Sequence, residues 1–144
     1  MCNYICYLKE KKEDTQIIRM LYDVFKCKKE LIGNLLDTKK NDIRFENRLL
    51  DHVSEFRTEL NVYVNDNINK VAFDTNFLFG NEVSKYLDEE IIVGSQNDDP
   101  YEWILIKNNL FFIVEEIDDE NFGITLRKSG NIEISYDQAI LISS

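Results

Sequence analysis

Glycine, proline, histidine and cysteine are all scarce in this chain. Its 144 residues hold five glycines, one proline, one histidine and three cysteines. The glycines are well separated, which excludes the Walker loop and the glycine-rich dinucleotide fingerprint. The single histidine, His52, leaves a Ser-His-acid triad only one place to form, and no serine sits in a nucleophile-elbow pattern. A thiol nucleophile would need an activating neighbour, so Cys27 could serve only if the fold brought His52 to it. Cys2, Cys6 and Cys27 are an odd set near one end and do not make a secreted disulfide framework. Cys2 and Cys6, four residues apart, could share a helix face, but a zinc site needs four ligands and these two have no obvious partners. No metal and no cofactor is expected.

Long apolar runs are also missing. None approaches the roughly 18 residues of a membrane span. The segment Met1–Lys12 places its apolar stretch before its lysines, the reverse of an export signal, so a cytoplasmic protein with reduced thiols is expected.

Positive charge is the last deficit, and it is local. From Met1 to Leu60 there are 12 Lys+Arg against 11 Asp+Glu; from Asn61 to Ser144 there are 5 against 16. The net charge is -10 and the pI about 4.6. Such a chain repels phosphate backbones and anionic membranes, so direct nucleic-acid and membrane binding are disfavoured. Opposite charge speeds encounter with basic proteins.

What is present is enough apolar residue, 44% of the chain, to build a core in one domain of residues 1–144. Residues 1–60 read as mainly helical. Asp14 or Thr15 caps a helix running to Leu36, with Ile17, Leu21, Val24, Phe25, Leu31, Ile32 and Leu35 at helical spacing. After a loop at Asp37–Asp42, the spacing of Phe45, Leu49, Val53, Phe56 and Leu60 predicts a second helix, bordered by His52.

Residues 61–144 read as mainly strands with one short helix. Strands are predicted at Asn61–Asn65 and Lys70–Phe73, a short helix at Glu82–Glu89, and a strand at Ile91–Val93. Gly94–Pro100 is the most loop-like stretch. A meander then follows: Tyr101–Lys107, a tight turn at Asn108-Asn109, Leu110–Ile117 as a central strand, alternating Phe122–Arg127, and Ile132–Tyr136. A last short strand is expected at Ala139–Ile142. The fold class is therefore α+β, with N-terminal helices packed on a C-terminal antiparallel β-meander or a partly open small barrel.

Carboxylates cluster at Asp88-Glu89-Glu90, Asp98-Asp99, Glu115-Glu116 and Asp118-Asp119-Glu120. None has the alternating acids and central glycine of an EF-hand. Each alone reads as a solubilising turn. Together they make a strong field, which costs stability through self-repulsion and suits a role in binding.

The chain is therefore expected to be a non-enzymatic acidic binding protein. The leading reading is an immunity or antitoxin-type inhibitor that occludes the active or substrate-binding face of a basic toxin, for example a nuclease. Loops carry recognition, so Asp98, Asp99, Glu102, Asp118, Asp119 and Glu120 are the candidate contacts, with Trp103 as aromatic anchor. The same charges allow a phage-type nucleic-acid mimic that inhibits a host nuclease or defence complex. A third reading is a small regulatory nucleic-acid-binding module using Lys26, Lys28, Lys29, Lys39 and Lys40.

Overall fold

The computed structural model describes residues 2–37, 41–66 and 73–143. Eight strands form one sheet: β1 (Cys2–Leu8), β2 (Ile32–Asn34), β3 (Ile43–Leu49), β4 (Thr58–Val64), β5 (Ile91–Gly94), β6 (Glu102–Lys107), β7 (Leu110–Glu115) and β8 (Ile132–Ile134). Their order is β2-β3-β4-β1-β5-β6-β7-β8. Every pairing is antiparallel except β2 with β3. Among the described residues, three α-helices join them: α1 (Asp14–Phe25), α2 (Asn76–Leu87) and α3 (Tyr136–Ser143). The fold is α+β, and β5 to β8 form the antiparallel meander. The sheet does not close into a barrel, and β2 and β8 are its edges. None of the described helices is long and apolar enough to cross a membrane.

The helices share one face of the sheet. Alternation along β1 turns Tyr4, Cys6 and Leu8 to that side, where they meet Ile17, Met20 and Leu21 of α1 and Phe77, Phe79 and Val83 of α2. Burying a side chain of this size contributes roughly 1.5–3 kcal/mol. Tyr4 stacks on Phe79 at 5.2 Å, and its hydroxyl donates to the Phe73 carbonyl at 2.6 Å. Burial, above all, pushes that phenol up to about 12. Helix α2 starts where Thr75 Oγ1 accepts from the Leu78 N–H. It lies so close to β5 that a Cβ on Gly80 would come within 2.6 Å of Val93 Cγ1.

The helical reading of residues 1–60 holds only for α1. That helix stops at Phe25, where Lys26 takes a left-handed conformation (φ 52°) and the Cys27 N–H returns to the Tyr22 carbonyl. Ile32, expected in the same helix, lies instead in β2. The helix predicted over Phe45–Leu60 is β3, a loop and β4. A spacing of four suits a strand as well as a helix, because two steps of period two also bring a residue back to the same face. The arbitrating signal was the alternation Ile43-Arg44-Phe45-Glu46, in which Ile43 and Phe45 are fully buried. Cys2 and Cys6 share a face of β1, not of a helix, and only Cys6 is buried.

Later differences are smaller. The short helix predicted at Glu82–Glu89 belongs to the longer α2, which begins at Asn76. The predicted strand at Lys70–Phe73 falls mostly outside the described residues; Phe73 itself is not in a strand. The Asn108-Asn109 turn forms as expected, with both residues left-handed (φ 50° and 63°). The strand β7 lies one place in from the edge, shielded only by the three-residue β8. Phe122–Arg127 does not join the sheet; it crosses the second face, held by isolated bridges Phe56–Ile124 and Glu116–Leu126. The strand expected at Ala139–Ile142 is α3. Its start is a reciprocal cap in which the Gln138 N–H donates to Ser135 Oγ and the Ser135 N–H to Gln138 Oε1.

Candidate functional site

Among the described residues, no helix packs on the second face of the sheet, and its two halves differ. Over β1, β3 and β4 it is polar. Glu59 accepts hydrogen bonds from the Tyr7 hydroxyl (2.7 Å), Arg48 (3.0 Å) and Asn61 (2.7 Å). Burial first, and then Glu59 itself, raises the Tyr7 phenol far above its ordinary range. Over β5, β6 and β7 the face is apolar. Ile92, Leu105 and Val114 pack beneath Phe56, Ile124 and Leu126 of the two covering segments, with Tyr7, Trp103 and Phe112 at the margin.

The pairing of β6 with β7 places the two acidic loops together. Glu102 faces Glu115 across the hairpin, so Asp98–Glu102 leads into the end from which Glu115–Glu120 departs. The Glu116 N–H donates to the Tyr101 carbonyl at 2.9 Å and closes that end. The two acidic loops thus share one rim, as the hairpin predicted about Asn108-Asn109 implies.

The seven candidate residues have different tasks within it. Asp98 and Asp118 are exposed. Asp99 Oδ1 accepts from the Tyr101 N–H (2.9 Å), and Asp119 Oδ1 from the Asn121 N–H (3.1 Å), so both shape their own turns. Glu120 is exposed and left-handed (φ 63°). Glu102 is half-buried, and one of its oxygens accepts from both Ser95 Oγ and Asn97 Nδ2 at 2.6 Å. Its carboxylate organises the Ser95–Tyr101 loop. Trp103 is half-buried, edge-on to Tyr7 at 5.1 Å, and its indole N–H donates to Glu116 Oε1 at 3.0 Å.

Glu116 is the residue that reading by cluster undervalued. Burial raises its carboxyl pKa, the Trp103 bond acts against that, and the charges of Asp119 and Asp118 add to the rise. The two aspartates therefore act on Glu116 through space. Phe122 was also misjudged. Its place in an alternating run suggested an inward side chain, yet it is 84% exposed, two residues beyond Glu120, while Tyr101 on the other loop is 44% exposed.

Asp51 fixes the cover over this face. It accepts from the Val53 N–H (3.0 Å), the Ser54 N–H (2.8 Å), Ser54 Oγ (2.7 Å) and, across 72 residues, the Gly123 N–H (2.7 Å). These bonds, led by that from the Ser54 backbone, hold its carboxyl well below the usual carboxylate range against an opposing effect of burial. His52 beside it is exposed. Cys27 packs on the helix-side core, so the two lie on opposite sides of the sheet and form no pair. Among the described residues, no three His, Cys, Asp or Glu side chains are grouped to hold a metal ion. Of the lysines considered for nucleic acid, Lys26 is the C-cap of α1, Lys28 and Lys29 open a single 3-10 turn, and Lys39 and Lys40 fall outside the described residues.

No family model, no curated protein and no solved structure matches this chain.

Proposed function

We propose that this is a non-enzymatic, cytoplasmic binding protein of the immunity or antitoxin type, which neutralises a basic toxin such as a nuclease by covering its active or substrate-binding face. The observation that carries the reading is the meeting of the Asp98–Glu102 and Glu115–Glu120 loops on one rim of the β6–β7 hairpin. A dense negative rim speeds and orients approach to a basic surface. The exposed rings of Tyr101 and Phe122 on the same two loops add the aromatic contact that tight interfaces use. Asp98, Asp118 and Glu120 are the carboxylates available to a partner. Glu102, Asp99 and Trp103 hold the rim in shape.

The test is capture of a basic toxin encoded beside the gene, with its activity measured with and without this protein. Inhibition by the wild type and its loss in an Asp98→Lys, Asp118→Lys, Glu120→Lys variant supports the reading. Full inhibition by that variant places the interface elsewhere. A chain that captures no basic partner and inhibits none loses the proposed role.

A further inference from the structure

Among the described residues, cations gather in a groove of the second face. A groove of about 490 Å³ opens on the second face between the 53–57 loop and the 125–131 segment. Four cations line it: Arg57, Lys107, Arg127 and Lys128. Three of these belong to residues 61–144, where the whole chain has only five basic residues. A strongly acidic half has therefore placed most of its positive charge in one concavity.

The acids in the groove are already engaged. Glu90 is bonded to Lys9 and lies 3.6 Å from Lys107, and Glu55 lies 3.7 Å from Lys9. Lys9, paired with both acids, thus offsets the acidic lining and leaves the lining cations in excess. Arg57 directs its Nε at the Ser54 carbonyl (2.8 Å), and Arg127 reaches Glu115 only at 4.0 Å with a largely exposed side chain. The floor is apolar, formed by Leu105 and Leu126. The walls are joined before any ligand arrives: Phe56 and Ile124 exchange backbone bonds at 2.7 and 3.0 Å, the Glu55 N–H donates to Thr125 Oγ1, and the Leu126 N–H donates to Glu55 Oε1. A site held in its bound shape loses less entropy on binding.

We infer that this groove binds a short acidic peptide segment, its carboxylates on Arg57, Lys107, Arg127 and Lys128 and an apolar side chain over Leu105 and Leu126. Two observations select this occupant. The groove is a shallow opening and not an enclosed cavity, whereas small-ligand sites bury most of their ligand. A nucleic-acid strand would run its charge beyond the groove onto a protein of net charge -10, past Glu115 and Glu116, and be repelled there. A short segment confines its charge to the cationic rim. The inference does not depend on the proposed toxin, since it concerns other residues of opposite sign.

The experiment is fluorescence anisotropy of a labelled peptide of alternating Glu and Leu, titrated with the full chain at low salt. Binding is expected, weakening as salt rises. An Arg127→Glu, Lys128→Glu variant, altered only at exposed turn positions, is expected to bind at least about tenfold more weakly, which corresponds to roughly 1.4 kcal/mol. Lys85→Glu, outside the groove, is expected to bind as the wild type does. No binding at low salt, or equal losses from Lys85→Glu and the groove variant, would overturn the inference. So would duplex DNA competing for the same residues, or a peptide-free dimer that the groove variant dissolves. Because toxin inhibition is read separately, either proposal can fail while the other stands.

Discussion

The two faces of the sheet do different work. On the helix side, β1, β3, β4, β5 and β6 offer aliphatic and aromatic residues that three helices bury almost completely. On the other side, half of the surface is a hydrogen-bonded polar array around Glu59, and the rest is covered only by two irregular segments. The first face resembles a conventional core. The second joins a smaller core to exposed loops and charged rims, so its surface can vary without dismantling the main packing.

That contrast can be broken first on the helix side. Phe79→Ala removes a fully buried ring packed against Tyr4, Phe25 and Phe73. A loss of about 3–5 kcal/mol is expected in urea unfolding. A loss below about 1 kcal/mol, of the size expected at the surface, would show that the helix side is not the main core. Gly80→Ala is the next largest. Its Cβ would press on Val93, and overpacking of this kind costs about 1–3 kcal/mol. Measurement of the unfolding midpoint decides it, and an unchanged midpoint would mean that α2 can lift from β5.

Asp51→Asn tests the cover of the second face through pH. The folded-state pKa of Asp51 lies below its ordinary 3.8. Its contribution is therefore complete above that value and is lost as pH falls through the folded pKa. The wild type should exceed the variant in stability at neutral pH, and the gap should close as the solution is acidified. A gap independent of pH would assign the effect to shape rather than charge. The smallest effect is expected at the rim. Asp98→Asn with Asp118→Asn should change stability by no more than about 0.5 kcal/mol, since both side chains are exposed. A larger loss would make these acids structural.

The parts of the fold legible in the sequence are those where one period dominates. β5, β6, the left-handed Asn108-Asn109 turn and the first half of the helix predicted to run to Leu36 were evident from local residues alone. Phe45 and Leu49 misled because a spacing of four belongs to both periods. Gly33, inside the helix first predicted, was the available warning, since glycine in a helix interior costs about 1 kcal/mol. The strand β1 went unread because seven residues with two cysteines and two tyrosines lack a strong local signature. At the candidate site, the acidic loops were visible, and the hairpin about Asn108-Asn109 implied that they meet. Not visible were the Asp51–Gly123 bond, which joins positions 72 residues apart, and the consumption of Glu102 by Ser95 and Asn97, which depends on how the short loop between them folds. The Ser135–Gln138 cap was visible in principle and marks α3 better than its apolar content does.

The position of β1 has a consequence for how the molecule forms. It pairs with β4 through Tyr4 and Val62, and with β5 through Leu8 and Ile91. Its β5 partner follows 83 residues after it, at Ile91 opposite Leu8, so β1 has a neighbour on each side only after that length has been synthesised. Closing loops of that length precedes any reward from the contacts, which slows folding and leaves two open strand edges in the meantime. During synthesis, this strand waits with unpaired edges of the kind that chaperones shield.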